Sequence, residues 1–150
     1  MSGISKPFYV GNFRHALDAK NRLTIPAKWR FAGDENEVYL ALPNASGYVM
    51  VLPPAEVEKL YQKISAMPYS DAEAQELQHK LFGLAHQFGC DKQGRINIPE
   101  ILLRHAGITK EAVLVGTMNK FGLWSPERWA SMDPVANGDN FGDLMKRFGI

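Results

Sequence analysis

A single cysteine, Cys90, stands in 150 residues, so no intrachain disulfide framework braces the fold and an apolar core must hold it. One thiol also suits a reducing compartment, and a cytoplasmic protein is expected. No apolar run is long enough to cross a bilayer, which leaves a membrane out of the expected partners. The opening Met-Ser-Gly-Ile-Ser-Lys-Pro lacks the long apolar core of a signal peptide. An excess of one charge is missing too: 17 Lys and Arg against 16 Asp and Glu leave a net charge of +1. The whole chain therefore does not advertise a polyanionic partner.

The signatures of catalysis are also sparse. His15, His79, His86 and His105 are scattered without metal-ligand spacing. No glycine loop is built to cradle a phosphate; Gly89-Cys-Asp-Lys-Gln-Gly94 has the wrong composition and leads into a strand. Cys90 lies near His86, but no third group orients the pair, so a structural cysteine is the stronger reading. No pair of carboxylates is singled out for acid–base work. No enzyme, cofactor or metal is expected.

What the chain does have, it has twice. Residues 18–26 read Asp-Ala-Lys-Asn-Arg-Leu-Thr-Ile-Pro, and residues 91–99 read Asp-Lys-Gln-Gly-Arg-Ile-Asn-Ile-Pro. Asp18, Arg22, Ile25 and Pro26 map onto Asp91, Arg95, Ile98 and Pro99 at a constant offset of 73 residues. Pro53 and Pro126 keep the same offset. An internal repeat dictates architecture, and here it predicts two similar units, each presenting a basic turn.

The charge is unevenly spread. Residues 1–33 carry Lys6, Arg14, Lys20, Arg22, Lys28 and Arg30 against Asp18 alone. Residues 34–90 carry eight acids against three lysines, and residues 91–150 are nearly balanced. One positive face is one reading of this pattern, and ordinary solvated charge is the other.

Local signals predict the elements. Val10–Leu17 reads as a strand, Asp18–Arg22 as a turn and Leu23–Ile25 as an alternating strand. Pro26 opens a short helix that Gly33 is placed to close. Val38–Leu42 and Tyr48–Leu52 form a hairpin around Pro43–Gly47. After Pro53 and Pro54 a helix follows, with Val57, Leu60, Tyr61 and Ile64 on one face. Ser70 and Glu73 fit a capping box for a connecting helix, whose apolar stripe runs through Leu77, Leu81, Leu84 and Phe88. Pro99 opens a helix through Leu102 and Leu103 that Gly107 closes. Val113–Val115 and Phe121–Trp124 are strands, and Ser125 caps a helix with Pro126 at its first position. Phe141, Leu144, Met145 and Phe148 mark a short amphipathic tail helix, packed on its own domain or against a subunit.

A tight turn projects long side chains outward, and an Arg there can fork two donors onto a phosphate or a guanine edge. The alternative is a structural Asp–Arg clamp, and a repeated fold would repeat its clamps too. We assign mixed roles: Asp18, Asn21, Asp91 and Gly94 structure the turns, and Arg22 and Arg95 are functional. Lys20 and Lys92 are phosphate contacts. Alternation puts Arg14 on the side of Asp18, which adds it to the candidate binding residues and leaves His15 on the other side. Lys28 and Arg30 do not share a helical face and stand open between ligand contact and plain surface. Trp29, Trp124 and Trp129 read as core or subunit contacts, since none lies in an aromatic and basic strand pattern.

Gly11–Arg30, Cys90–Pro99, Ala106–Ile108 and Val115–Trp124 resemble, in order, the two half-motifs of MraZ proteins. The likeness runs from about residue 8 to residue 132. It implies an α+β fold: a tandem AbrB-like swapped-hairpin β-barrel, formed within one chain as a pseudo-dimer with short flanking and connecting helices. The implied units are 8–66 and 89–132, a connecting helix at 67–88 and a tail at 133–150. The resemblance further implies a ring-shaped homo-oligomer and a nucleoid-associated transcription regulator. Its partner would be double-stranded DNA, at short direct repeats upstream of its own division and cell-wall gene cluster, where binding represses. By motif, Lys20, Arg22, Lys92 and Arg95 face the DNA. Asn21 stands where the family usually has Gly, and Gln93 stands at the position of Lys20, so the first turn is expected to dominate binding. The competing class is an AbrB-fold interaction module or ring scaffold, antitoxin-like and without specific DNA binding. An antitoxin usually carries a disordered tail, and the short, partly amphipathic tail here argues mildly against it.

Overall fold

A computed structural model describes residues 8–31, 37–132 and 140–150. The closing role expected of Gly33 lies outside these residues. The strands are β1 (Asn12–Ala16), β2 (Arg22–Thr24), β3 (Tyr39–Asn44), β4 (Tyr48–Leu52), β5 (His86–Phe88), β6 (Arg95–Asn97), β7 (Glu111–Gly116) and β8 (Phe121–Trp124). The helices are α1 (Pro54–Ser65), α2 (Ala72–Phe82), α3 (Glu100–Ala106), α4 (Pro126–Met132) and α5 (Phe141–Arg147), with a single 3-10 turn at Ala27–Trp29.

Two antiparallel sheets form. The larger has the order β1-β7-β8-β4-β3-β5, and the smaller pairs β2 with β6. In the larger sheet the two hairpins, β3-β4 and β7-β8, meet at the centre through β4 and β8. The first strand of each repeat then pairs with the other repeat's hairpin: β1 with β7 and β5 with β3. The smaller sheet has the same internal symmetry. Its register is Arg22↔Asn97, Leu23↔Ile96 and Thr24↔Arg95. A shift of 73 residues exchanges the outer two pairs and returns the middle one to itself. A pseudo-two-fold axis therefore runs between Leu23 and Ile96.

The core follows from strand alternation. In each Arg-x-x-Ile-Pro run the second and fourth residues turn inward, so Leu23, Ile25, Ile96 and Ile98 are all buried. Trp29 and Tyr9 meet edge to face at 5.5 Å, and Phe121 lies against both. Leu102, Leu103 and Ala106 of α3 close the same cluster. Helix α3 ends where Gly107 takes the left-handed conformation, at φ 70°. The Ser125 hydroxyl accepts from the Arg128 N–H at 3.1 Å and caps α4. Arg128 in turn donates through Nη1 to the carbonyls of Gly47 and His105, both at 2.8 Å. This brace ties the first hairpin to α3 and α4.

Four expectations are corrected. Pro43 and Asn44 belong to β3, opposite Val49 and Tyr48, so the hairpin turn is shorter than Pro43–Gly47. The Asn44 side chain and carbonyl accept from Ser46 and Gly47, which closes the bend tightly. The shared face of α1 is uneven: Val57, Leu60 and Ile64 are half-buried and Tyr61 is 67% exposed. Periodicity reports an apolar face, and the rest of the chain decides whether anything covers it. Asp71, not Ser70, caps α2, because Asp71 has the extended backbone of an N-cap and accepts from Glu73 and Ala74. That helix ends at Phe82, so Leu84 and Phe88 lie beyond it. Phe88 instead joins β5 and stacks on Tyr39 at 5.6 Å, a long-range pairing that local periodicity cannot see. Helix α5 keeps Phe141, Leu144, Met145 and Phe148 exposed, so packing on its own domain is not what the described residues do.

Candidate nucleic-acid interface

The repeated motif builds two matching turns. In the first, Asp18 Oδ1 accepts from the backbone N–H of Lys20 and of Arg22, both at 2.9 Å. Its Oδ2 accepts from Arg22 Nε at 2.7 Å. In the second, Asp91 Oδ1 accepts from Gln93 N at 3.0 Å and Arg95 N at 2.8 Å, and Oδ2 accepts from Arg95 Nε at 2.7 Å. The Arg22 backbone N–H is the main cause that holds the Asp18 carboxyl below its ordinary range, and the Arg95 N–H does the same for Asp91. Partial desolvation opposes the shift in both, and the arginine side chains reinforce it. The Asp–Arg clamp is therefore present in both copies. It occupies Nε and leaves the outer edge of each guanidinium without a partner among the described residues.

Each turn needs one residue with positive φ, which Asn21 supplies at 58° and Gly94 at 77°. The turns are locked to each other across the seam. Ile25 N–H donates to the Gly94 carbonyl at 2.8 Å, and Ile98 N–H to the Asn21 carbonyl at 3.3 Å. Asn97 Nδ2 adds a bond to the Lys20 carbonyl at 3.1 Å.

The same alternation that buries Leu23 and Ile96 turns Arg22 and Arg95 to the opposite, outer face. They sit diagonally across a two-stranded ribbon, a separation of about 7–8 Å between such positions. Their side chains are 28% and 34% exposed. Lys20 and Lys92 stand exposed beside them. The arrangement offers two forked cations on one narrow ribbon face, with an exposed lysine in each adjoining turn, suited to anionic oxygens or base edges.

The other candidates sit differently. Arg14 is exposed on β1 but engages Glu111 of β7, with Nε at 3.0 Å and Nη2 at 2.9 Å. His15 is half-buried on the reverse side of β1, and Lys28 is exposed. Trp29 is core, and Trp124 stacks on Tyr48 at 4.4 Å and meets Trp129 at 5.7 Å. Cys90 is half-buried and packs against the core. Among the described residues no His, Cys, Asp and Glu group could hold a metal ion, and no helix is long and apolar enough to cross a membrane. One neighbour of the turns escapes a reading of spacing alone. Arg30 follows the 3-10 turn of the first repeat, yet lies across Gly94 of the second turn.

The family model described as "MraZ protein, putative antitoxin-like" matches the chain twice in tandem, over residues 8–80 and 81–141. A protein of Lachnoclostridium phytofermentans named Transcriptional regulator MraZ is 34% identical over 142 residues, 95% of this chain and 98% of its own. The Symbiobacterium thermophilum protein of the same name is 36% identical over 141 residues, covering 94% of this chain and all of its own. That of Heliobacterium modesticaldum is 34% identical over 128 residues, 85% of this chain and 88% of its own. The duplicated motif, the matched turns and these near full-length likenesses agree, and the chain belongs to the MraZ family.

Proposed function

We propose that this protein is a transcription regulator that binds specific double-stranded DNA through its two basic turns and represses its own division and cell-wall gene cluster. The observation that carries the proposal is the outward pair Arg22 and Arg95, each fixed at Nε by its own aspartate on one face of the β2–β6 ribbon. The names of the relatives support the regulatory role. A clamp that repeats for structural reasons still aims a guanidinium fork at solvent, and a fork held in place loses less entropy on binding. The major groove, about 12 Å wide, admits a two-stranded ribbon. Lys20 and Lys92 would sit on phosphates, with Arg22 and Arg95 on base edges or phosphates. Arg14 would join only by exchanging Glu111 for a phosphate.

The exchange of β1 and β5 between the hairpins supports the swapped-hairpin AbrB-like pseudo-dimer. Exposed apolar residues on three helices support assembly into a homo-oligomeric ring: Tyr61 on α1, Leu77 on α2 and Phe141 on α5. One chain offers few base-reading side chains, so affinity would come from several copies engaging direct repeats at once. Repeats spaced by about 10 bp present the same side of the duplex to successive subunits. Such a protein works in the cytoplasm, at the nucleoid. The same exposed helices favour the second reading, an antitoxin-like interaction module without specific DNA binding.

Fluorescence anisotropy of a labelled duplex from the gene's own upstream region, with a scrambled duplex and Arg22→Ala alongside, separates the two. Repeat-dependent binding that weakens with salt and is lost in the variant supports the operator site. No preference for the repeats, or full binding by a folded Arg22→Ala protein, rejects it in favour of the interaction module.

A further inference from the structure

We infer that Arg30 is a DNA-backbone contact of the second turn, delivered across the seam from the first repeat. The inference rests on the DNA-binding reading above and changes which turn anchors the duplex. By sequence the two turns carry the same cations, Lys20 and Arg22 against Lys92 and Arg95, with Gln93 standing at the position of Lys20. In the fold the second turn gains a cation. Arg30 Nε donates to the Ile25 carbonyl at 3.1 Å, and the N–H of that same Ile25 donates to the Gly94 carbonyl at 2.8 Å. Arg30 and the second turn are thus bound to one residue from its two sides.

The fit is close. A Cβ added at Gly94 would stand 2.6 Å from Arg30 Nε, 2.7 Å from Cδ and 2.8 Å from Cζ. Glycine at 94 therefore does two things: it supplies the positive φ, and it opens the slot through which Arg30 passes. Asn21 serves the first need alone in the other turn.

Arg30 is not a clamp required by the fold. Its counterpart 73 residues on is Leu103, a buried core residue. The repeated architecture closes without a cation at that place, and the aspartate–arginine clamp, by contrast, recurs in both copies. Arg30 is exposed, and among the described residues no carboxylate pairs with it. With Nε spent on the Ile25 carbonyl, the two Nη groups remain to grip a phosphate. The second turn then carries Lys92, Arg95 and Arg30, against Lys20 and Arg22 in the first.

The test uses the full chain and the same upstream duplex, titrated at several salt concentrations. Arg30→Gln keeps a side-chain donor for the Ile25 carbonyl and removes the charge. We expect an unchanged melting temperature, severalfold weaker binding to the operator and the scrambled duplex alike, and a salt slope shallower by about 0.9. Adding Gln93→Lys to Arg30→Gln should restore the slope, since it returns a cation to the same turn. A structural prop would not be rescued in that way. If Arg30→Gln leaves affinity and slope unchanged while Arg22→Ala loses binding, the inference is overturned and DNA binding stands. If binding falls together with the melting temperature and Gln93→Lys restores neither, Arg30 is a prop and the inference is again overturned. If the parent protein shows no binding to the duplex, both readings fall.

Discussion

The seam at Leu23 and Ile96 makes a sharp test of the pseudo-symmetry. The two residues face each other in register, with 0% and 1% of their surface exposed. Leu23→Ala and Ile96→Ala each remove a branched side chain from a site that little can collapse to fill. A cost of about 2–5 kcal/mol apiece is the usual range for such truncations. Taking about 3 kcal/mol for each, the melting temperature of a chain this size falls by roughly 6–12 °C. Because the axis passes between the two residues, the single variants should agree to within about 1 kcal/mol, less than the spread seen among unrelated core sites. The double variant should depart from additivity by at least about 0.5 kcal/mol, since both truncations open one shared cavity. Its total would consume most of the roughly 5–15 kcal/mol that a domain has to lose. Urea unfolding followed by circular dichroism measures all three. Amide hydrogen exchange at Arg22 and Arg95 should rise together in either single variant, because each turn hangs on the same three-residue ribbon. Additive costs, or either single cost below about 1 kcal/mol, would show that the seam is not a shared core contact and would remove the physical basis for treating the turns as one site.

Two further outcomes follow from the turns and the sheet. Asp18 and Asp91 have carboxyls held below their ordinary range by backbone N–H bonds from Arg22 and Arg95. A lowered folded value means the unfolded chain binds the proton more readily, so this stabilisation is complete above the unfolded value, near 4. It is lost as pH falls through the lowered folded value, and Asp18→Asn with Asp91→Asn should flatten acid unfolding below about pH 4 without changing its shape near neutrality. Gly116→Ala should free the segment before β1, because the new Cβ would stand 2.5 Å from the Tyr9 carbonyl carbon and 2.7 Å from Val10 N. Backbone cannot yield as a side chain does, so a loss of about 1–3 kcal/mol is expected. A red-shifted tryptophan emission should accompany it as Tyr9 leaves Trp29; unchanged emission and stability would refute the close approach.

The parts of this fold that could be read from the sequence are those set by a residue's near neighbours along the chain. Asp18 and Arg22 declared their turn because an Asx bend uses residues two and four positions on. Pro99 with Gly107, and Ser125 with Pro126, declared helix ends because caps are local chemistry. Leu23 and Ile25 declared an inward face by alternation, and with it the outward direction of Arg22. Partner choice was not legible. Nothing near β1 says that it pairs with β7, about a hundred residues away, and nothing near Phe88 says that it leaves a helical stripe to stack on Tyr39. Tyr61 shares a helical face with half-buried Val57, Leu60 and Ile64 and is itself exposed, because amphipathicity describes a face and not its cover. Arg30 stayed open between ligand contact and plain surface for the same reason. Its role depends on a glycine 64 residues away, and the only sequence signal was the pairing of Arg30 with Leu103, a charge where the other repeat has an apolar residue.

That pairing shows how a duplicated chain separates structural from functional side chains. In a symmetric dimer of identical subunits, every residue occupies both halves, so a position cannot be tuned on one side alone. Within one polypeptide each copy varies freely, and what both copies keep is what the architecture requires. Asp, Arg, Ile and Pro recur at the 73-residue offset because each turn needs its clamp and each ribbon strand needs its inward face. The positions that differ are not bound by that need, among them Ala19 against Lys92, Lys20 against Gln93, Asn21 against Gly94, Thr24 against Asn97, and Arg30 against Leu103. The first four lie at the two turns or on the ribbon that joins them, and Ala19 against Lys92 and Lys20 against Gln93 exchange a cation in opposite senses, so each turn keeps one lysine. Turn one carries Lys20 and turn two Lys92 from their own repeats, and turn two alone gains Arg30 from its neighbour. An asymmetric pair of basic turns on a symmetric frame has a direction. A protein with such a pair should bind direct repeats in one orientation, which inverting a single repeat within the duplex would expose as a fall in affinity. Equal binding to direct and inverted repeats would mean that the frame's symmetry, and not its side-chain differences, governs recognition.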